Sequence, residues 1–206
     1  MIHLERHETV YAAFYCEENI WHLAAHPRLG AYHRSVVFIS NPDRTCAFWS
    51  QRLAKDPRMP VIWDYHVVLL VCEGDGARPL VLDLDSRLDF PVPLEVYLAE
   101  TFPPRLPIPE MYRPRFRFID GETYRRVFSS DRSHMRQDDD WLREPPPWPI
   151  IGADAASNLD AFIDMESSGV GEVIDLVSLR HAVGVGEDGE KGRNFPWEKA
   201  NPDRAI

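Results

Sequence analysis

Three residues of this chain combine the types and placement that nucleophilic acyl chemistry uses: Cys16, His66 and Asp83. His66 lies inside Pro60-Val-Ile-Trp-Asp-Tyr-His66-Val-Val-Leu-Leu70, a run rich in β-branched and aromatic residues that begins after a proline and predicts a buried strand. Strand alternation places Ile62, Asp64, His66, Val68 and Leu70 on one side and leaves the other side apolar. Glu73-Gly-Asp-Gly76 is a turn signal and Pro79 to Asp85 reads as a returning strand, so an antiparallel hairpin is expected. With a four-residue loop, Cys72 faces Ala77 and Asp83 falls directly opposite His66, their Cβ atoms about 5 Å apart. A slip of one residue would turn Asp83 to the other face. A carboxylate beside an imidazole fixes its tautomer and stabilises the imidazolium, which is the orienting half of a nucleophilic triad. The plainer alternative is a satisfied ion pair with no reaction attached.

Cys16 supplies the thiol. From Glu17 to Pro27 the pattern is helical, with Ile20, Leu23 and Ala24 on one face, two glutamates in the first turn and Pro27 as a stop. Cys16 therefore falls at a helix N-terminus, where unpaired N–H groups and the helix dipole favour a thiolate and can donate to an oxyanion. Alone, it reads more simply as a small buried apolar residue. Together with His66 and Asp83 it gives the chain order Cys, His, Asp, which papain-like and transglutaminase-like folds use. Other combinations are weaker. His22 and His26 are four apart but lack a third metal ligand, His134 lacks a placed carboxylate, and Cys46 has no base nearby in sequence. No metal and no cofactor are expected.

The remaining segments must hold these three residues in place. Ser35 to Ser40 reads as a short strand, Ala47 to Leu53 as a helix, and Pro91 to Glu100 as a helix entered through proline. Arg115 to Ile119 alternates as a strand, Gly121 to Phe128 is a short helix, and Gly171 to Leu179 is a strand running into a turn. The stretch from Ser129 to Pro149 is long, irregular and aromatic, and is expected over the cleft or on the back of the sheet. Residues 1–183 are read as a single catalytic domain and 184–206 as a mobile tail. The net charge of -10 argues against nucleic-acid or anionic-membrane partners. With neither an apolar leader nor an 18-residue apolar run, and an odd count of three cysteines, a soluble monomer in a reducing compartment is expected, cytoplasmic with the nucleus as a further location.

Several blocks carry a specific resemblance: Tyr15-Cys16-Glu-Glu-Asn-Ile-Trp21, Val37-Phe-Ile-Ser-Asn41, Pro60 to Leu70, Asp83-Leu-Asp85, Ser130-Asp-Arg-Ser-His-Met135, Arg143-Glu-Pro-Pro-Pro147 and Asn158 to Ile163. In order and spacing they resemble the protein N-terminal glutamine amidohydrolase family. The resemblance implies an α/β fold, an α-β-α sandwich with an antiparallel sheet and a cysteine-protease or transglutaminase-like core. It also implies that Cys16, His66 and Asp83 are catalytic and that an N-terminal glutamine is deamidated to glutamate through a thioester, in service of the N-degron pathway. Gly169-Val-Gly171 departs from the family pattern, which has an aromatic residue between the glycines. Such an enzyme must recognise a free α-ammonium, and Glu18, Asp64 and Asp85 are the candidate carboxylates. The rival readings are another thiol hydrolase or acyl transferase, such as a protease or transglutaminase, and a non-catalytic module that binds N-termini.

Overall fold

The computed structural model describes residues 2–74, 77–138, 140–152 and 156–184. The expected tail, apart from its first residue, lies outside them. Helix α1 spans Cys16–Leu23. Strand β1 (His33–Ser40) is followed by two short strands, β2 (Cys46–Phe48) and β3 (Val61–Trp63), which pair with each other. Strand β4 (Tyr65–Cys72) leads to β5 (Leu80–Leu82), β6 (Val92–Pro93) and α2 (Leu94–Thr101). Next come β7 (Arg115–Asp120), α3 (Gly121–Val127), and a small ribbon of β8 (Arg136–Gln137) and β9 (Asp140–Trp141). Helix α4 (Leu159–Ile163), β10 (Glu172–Asp175) and α5 (Leu176–Ala182) follow.

Six strands form one antiparallel sheet in the order β10-β7-β1-β4-β5-β6. Every residue of β4 is buried, because the sheet carries helices on both faces. Tyr65, Val67, Leu69 and Val71 pack with Ile20 and Leu23 of α1, Tyr124 of α3 and Phe162 of α4. Val68 and Leu70 point the other way, onto Leu94 and Leu98 of α2 and Leu179 of α5. Strand alternation thus sends His66 and the residues before and after it to opposite layers.

The hairpin differs from its expected register. β4 runs to Cys72 and β5 begins only at Leu80, so the connection is longer than four residues, and Leu82 pairs with Leu69 where the shorter loop would have set it against Val67. The shift from the expected pairing is two residues, and an even shift keeps Asp83 on the face of His66. The apolar run is also two strands rather than one. At Asp64 the chain turns: its Oδ1 accepts from the Tyr65 N–H at 2.9 Å and its carbonyl accepts from the Ser40 hydroxyl at 2.6 Å. Trp63 consequently packs with the layer that holds Val68, although strict alternation would have put it on the other side. The helix expected over 47–53 is absent, since Cys46 to Phe48 form β2 and Ser50 takes a left-handed φ of 58°. The turn expected after β10 is instead helix α5, capped by Asp175, whose side chain accepts from the Ser178 N–H.

Gly171, at the entrance to β10, has φ +87°, and a Cβ there would stand 2.2 Å from the Phe118 carbonyl oxygen on β7. Glycine is required by both backbone angle and space. Gly171→Ala should therefore lower stability by about 2 kcal/mol or more, read as a fall in the urea midpoint at unchanged slope.

Candidate active site

Cys16 is the first residue of α1, and among the described residues no side chain caps that helix or claims its opening N–H groups. Asn19 fixes the chain that leads into the helix: its side-chain amide accepts from the Ala12 N–H and donates to the Ala12 carbonyl, each at 2.8 Å. Cys16 and His66 line one cavity of about 770 Å³, with Asp64, Asp85, His134 and Trp63 among its other walls. A larger cavity of about 1080 Å³ lies between the proline-rich 103–108 loop and α5, and the described residues that line it include neither cysteine nor histidine. The smaller one holds the reactive residue types.

His66 Nε2 is 2.9 Å from Asp83 Oδ1, and both residues are almost fully buried. Asp83 is bonded on every side. Oδ1 also accepts from the Asp85 N–H at 2.9 Å, and Oδ2 accepts from the Tyr97 hydroxyl at 3.0 Å and from Gln51 Nε2 at 3.4 Å. Burial pulls the Asp83 pKa up, but the charge of His66 and these donors outweigh it and hold the carboxyl below its ordinary range. Burial likewise pulls His66 down, while the charge and hydrogen bond of Asp83, aided by Asp85 and Glu17, hold the imidazole above its ordinary value. Trp63 stacks on the imidazole at 5.9 Å and 14°, and Phe48 meets it edge-on at 5.5 Å. Trp63 Nε1 in turn donates to Gln51 Oε1 at 3.4 Å, which closes a ring of contacts through Gln51, Asp83 and His66. Neither Trp63 nor Gln51 stands out as a site residue in the sequence, because stacking across a strand break has no local signature.

The surroundings of Cys16 favour the thiol over the thiolate. Burial, then the charges of Glu17 and Asp85, push Cys16 well above the ordinary thiol value, with Asp64 adding to them and the Val67 amide opposing. The helix N-terminus alone suggests the opposite direction.

The three carboxylates considered for ammonium recognition have different surroundings. Glu18 is fully buried and is not among the described residues that line the cavity: both its oxygens meet Arg132, at 2.8 and 2.7 Å, and Trp148 Nε1 donates to it at 2.7 Å. Asp64 and Asp85 line the cavity. Asp85 accepts from the Tyr11 hydroxyl, and its carboxyl is raised, first by burial and then by neighbouring Asp83, against the lowering influence of His66. Potential metal-binding atoms of His66, Asp83 and Asp85 lie within 4.8 Å of one another, but the protein's own donors already engage Asp83 from every side. His134 does have a carboxylate, contrary to the sequence reading: Glu17 Oε1 lies 3.5 Å from its Nε2. That pairing joins distant parts of the chain, and nothing in the local sequence announces it.

The chain matches the family described as N-terminal glutamine amidase over residues 11–183. It is 38% identical over 186 residues to the protein N-terminal glutamine amidohydrolase of Homo sapiens, covering 87% of this chain and 90% of that protein. The protein of the same name from Bos taurus is 39% identical over 183 residues, with 85% and 87% covered, and that from Drosophila pseudoobscura pseudoobscura is 37% identical over 180 residues, with 83% and 86% covered.

The Glu18–Arg132 pair ties the 130–149 loop to α1, and Arg132 also donates to the Trp148 carbonyl at 2.9 Å. Arg132→Met leaves the Glu18 carboxylate buried and uncompensated and should cost about 3–5 kcal/mol in chemical denaturation. A loss below about 1 kcal/mol would mean that the pair does not anchor the loop.

Proposed function

The chain belongs to the N-terminal glutamine amidase family, and from that premise we propose that it hydrolyses the side-chain carboxamide of an N-terminal glutamine to glutamate and ammonia. The observation that carries the reading is the buried, fully bonded His66–Asp83 pair facing a cavity shared with a cysteine at an uncapped helix start. Cys16 is the nucleophile, His66 the general base and acid, and Asp83 the group that holds the imidazole in place.

His66 Nε2 is committed to Asp83, which leaves Nδ1 as the nitrogen that exchanges protons with the thiol and the leaving group. His66 takes the Cys16 proton as sulfur attacks the carboxamide carbon. The Cys16 backbone N–H stabilises the oxyanion of the tetrahedral intermediate. His66 then passes the proton to the departing ammonia, leaving a thioester. The same base activates water, which displaces the thiolate and releases N-terminal glutamate. Asp64 and Asp85, set in the cavity wall, are the partners for the substrate's α-ammonium, a role that the Arg132 pairing denies to Glu18. A papain-like or transglutaminase-like core suits this arrangement, with a thiol on a helix packed against one face of an antiparallel sheet and a histidine on an adjoining strand. In the N-degron pathway the product would expose a glutamate for arginylation.

Mass spectrometry of a Gln-initiated peptide, with internal-Gln and Asn-initiated controls, tests the reading. A gain of one dalton on the Gln-initiated peptide alone, abolished by Cys16→Ala, is the expected outcome. Retention of an unchanged peptide would instead favour a binding module, and cleavage or cross-linking of the controls would favour a protease or transglutaminase.

Asp83→Asn should lower kcat by about 10²–10⁴-fold. It should also move the acidic limb of the kcat/KM profile to lower pH. The sign follows from Asp83 raising the His66 pKa: without the carboxylate the imidazole loses its proton at lower pH, so the base form persists further into acid. An acidic limb that stays in place would remove His66 from the rate-determining ionisation.

A further inference from the structure

Glu17 is a buried ionisable group beside Cys16 that the reaction above leaves unused. Its side chain is fully buried, and its two oxygens are unequally served. Oε2 accepts from the Tyr65 hydroxyl at 3.0 Å and lies 3.7 Å from Cys16 Sγ, within reach of the thiol proton. Among the described residues Oε1 makes no hydrogen bond, and His134 Nε2 lies 3.5 Å from it. A carboxylate in such a position stabilises S–H and opposes S⁻. Asp64 and Asp85 in the cavity wall reinforce it, so three acidic side chains bear on one sulfur.

Resting on the amidohydrolase reading, we propose that Glu17 is a specificity-determining residue: it keeps Cys16 protonated in the empty site, so that a carboxamide arriving with its own α-ammonium is the ligand that switches the nucleophile on. The α-nitrogen of glutamine is four bonds from the carboxamide carbon, within about 5 Å of it. Bound against Asp64 or Asp85, that cation offsets the acidic field, and the thiol proton passes from Sγ to His66, giving thiolate and imidazolium with no other change. An internal or N-acetylated glutamine brings the same carboxamide without the charge. The raised thiol pKa described above agrees with this order of events. The titratable groups that bear on the sulfur from the surrounding elements are Glu17 of α1, Asp64 and Asp85 of the cavity wall, Tyr65 and His66 of β4, and Tyr124 of α3, with His134 beyond Glu17.

The test follows Cys16 alkylation by iodoacetamide against pH in ligand-free enzyme, with the modified cysteine assigned by peptide mapping. The wild-type midpoint is expected above that of free cysteine. Glu17→Gln should lower it by one pH unit or more, a roughly ten-fold gain in rate at pH 7, and should narrow the preference for a Gln-initiated peptide over its N-acetylated form at least ten-fold. Glu17→Asp, which keeps the charge, should restore most of that preference. A wild-type midpoint at or below that of free cysteine, or a folded Glu17→Gln protein with an unmoved midpoint, overturns the proposal. Should Glu17→Gln fail to fold, wild type with an Ala-initiated peptide decides the matter, since its methyl group leaves the thiol open. That peptide must speed alkylation at pH 7 and its N-acetylated form must not; equal rates overturn the proposal. Alkylation needs no turnover, so a protein that does not deamidate glutamine would refute the proposed function and still give a separate answer here.

Discussion

Two consecutive carboxylates, Glu17 and Glu18, are buried in the first turn of α1, and the shape of the site follows from the need to satisfy both. An ionised carboxylate in a protein interior is tolerated only with charged or hydrogen-bonding partners around it. Glu18 obtains a bidentate arginine and an indole N–H, and these come from Arg132 and Trp148, at opposite ends of the long irregular segment after α3. Glu17 obtains Tyr65 from β4 and His134 from the same segment. Residues 132 and 134 are thus held by neighbouring glutamates, and Arg132 adopts a left-handed φ of 62° in making that approach. The loop that walls the cavity is organised by the helix that carries the thiol. Altering either glutamate therefore perturbs both the wall and the helix that carries the thiol.

The opposite side of the site follows a different logic. Asp83 lies just beyond the end of β5, where ladder pairing has stopped and its carboxylate is free to gather donors from several elements: His66 from β4, Tyr97 from α2, Gln51 from the segment after β2, and the backbone two residues on. Each donor constrains one direction, and together they leave the carboxylate a single orientation. That rigidity passes to the imidazole, which is further confined between the Trp63 face and the Phe48 edge. Preorganisation of this kind fixes the histidine before any ligand arrives.

The two sides differ in how far they can be read from sequence. The apolar run around His66 and the helix opening at Cys16 are local patterns: His66 falls in β4 and Cys16 opens α1, although the run is two strands and the turn before Leu80 is longer than four residues. Asp83 is reached through a register that is off by two, and the inference survives because parity, not register, decides which face a strand residue takes. Alternation fails at Trp63, where Asp64 breaks the strand by bonding to its neighbour's N–H. The contacts that distinguish this cavity, Glu17 with His134, Glu18 with Arg132 and Trp63 with His66, either join distant parts of the chain or cross that break. Charge and spacing along the chain carry no trace of such pairs, so in sequence Glu18 looks as available for a ligand as Asp85.

The cavity's acidity also acts differently on the histidine–aspartate pair and on the thiol. His66 and Asp83 form a pair whose pKa values move apart, the carboxyl down and the imidazole up, as opposite charges at short range require. Cys16, like His66, is raised, but by burial and nearby acids, which favour its protonated form. Under the switch proposed above, such a site is quiet toward ligands that merely fit its volume, and its reactivity is tied to ligands that bring positive charge close to the sulfur. The negative charges that hold the thiol back are the charges a cationic ligand binds, so recognition and activation draw on the same side chains. Selectivity then arises from electrostatics at the reacting atom and needs no separate exclusion of uncharged competitors.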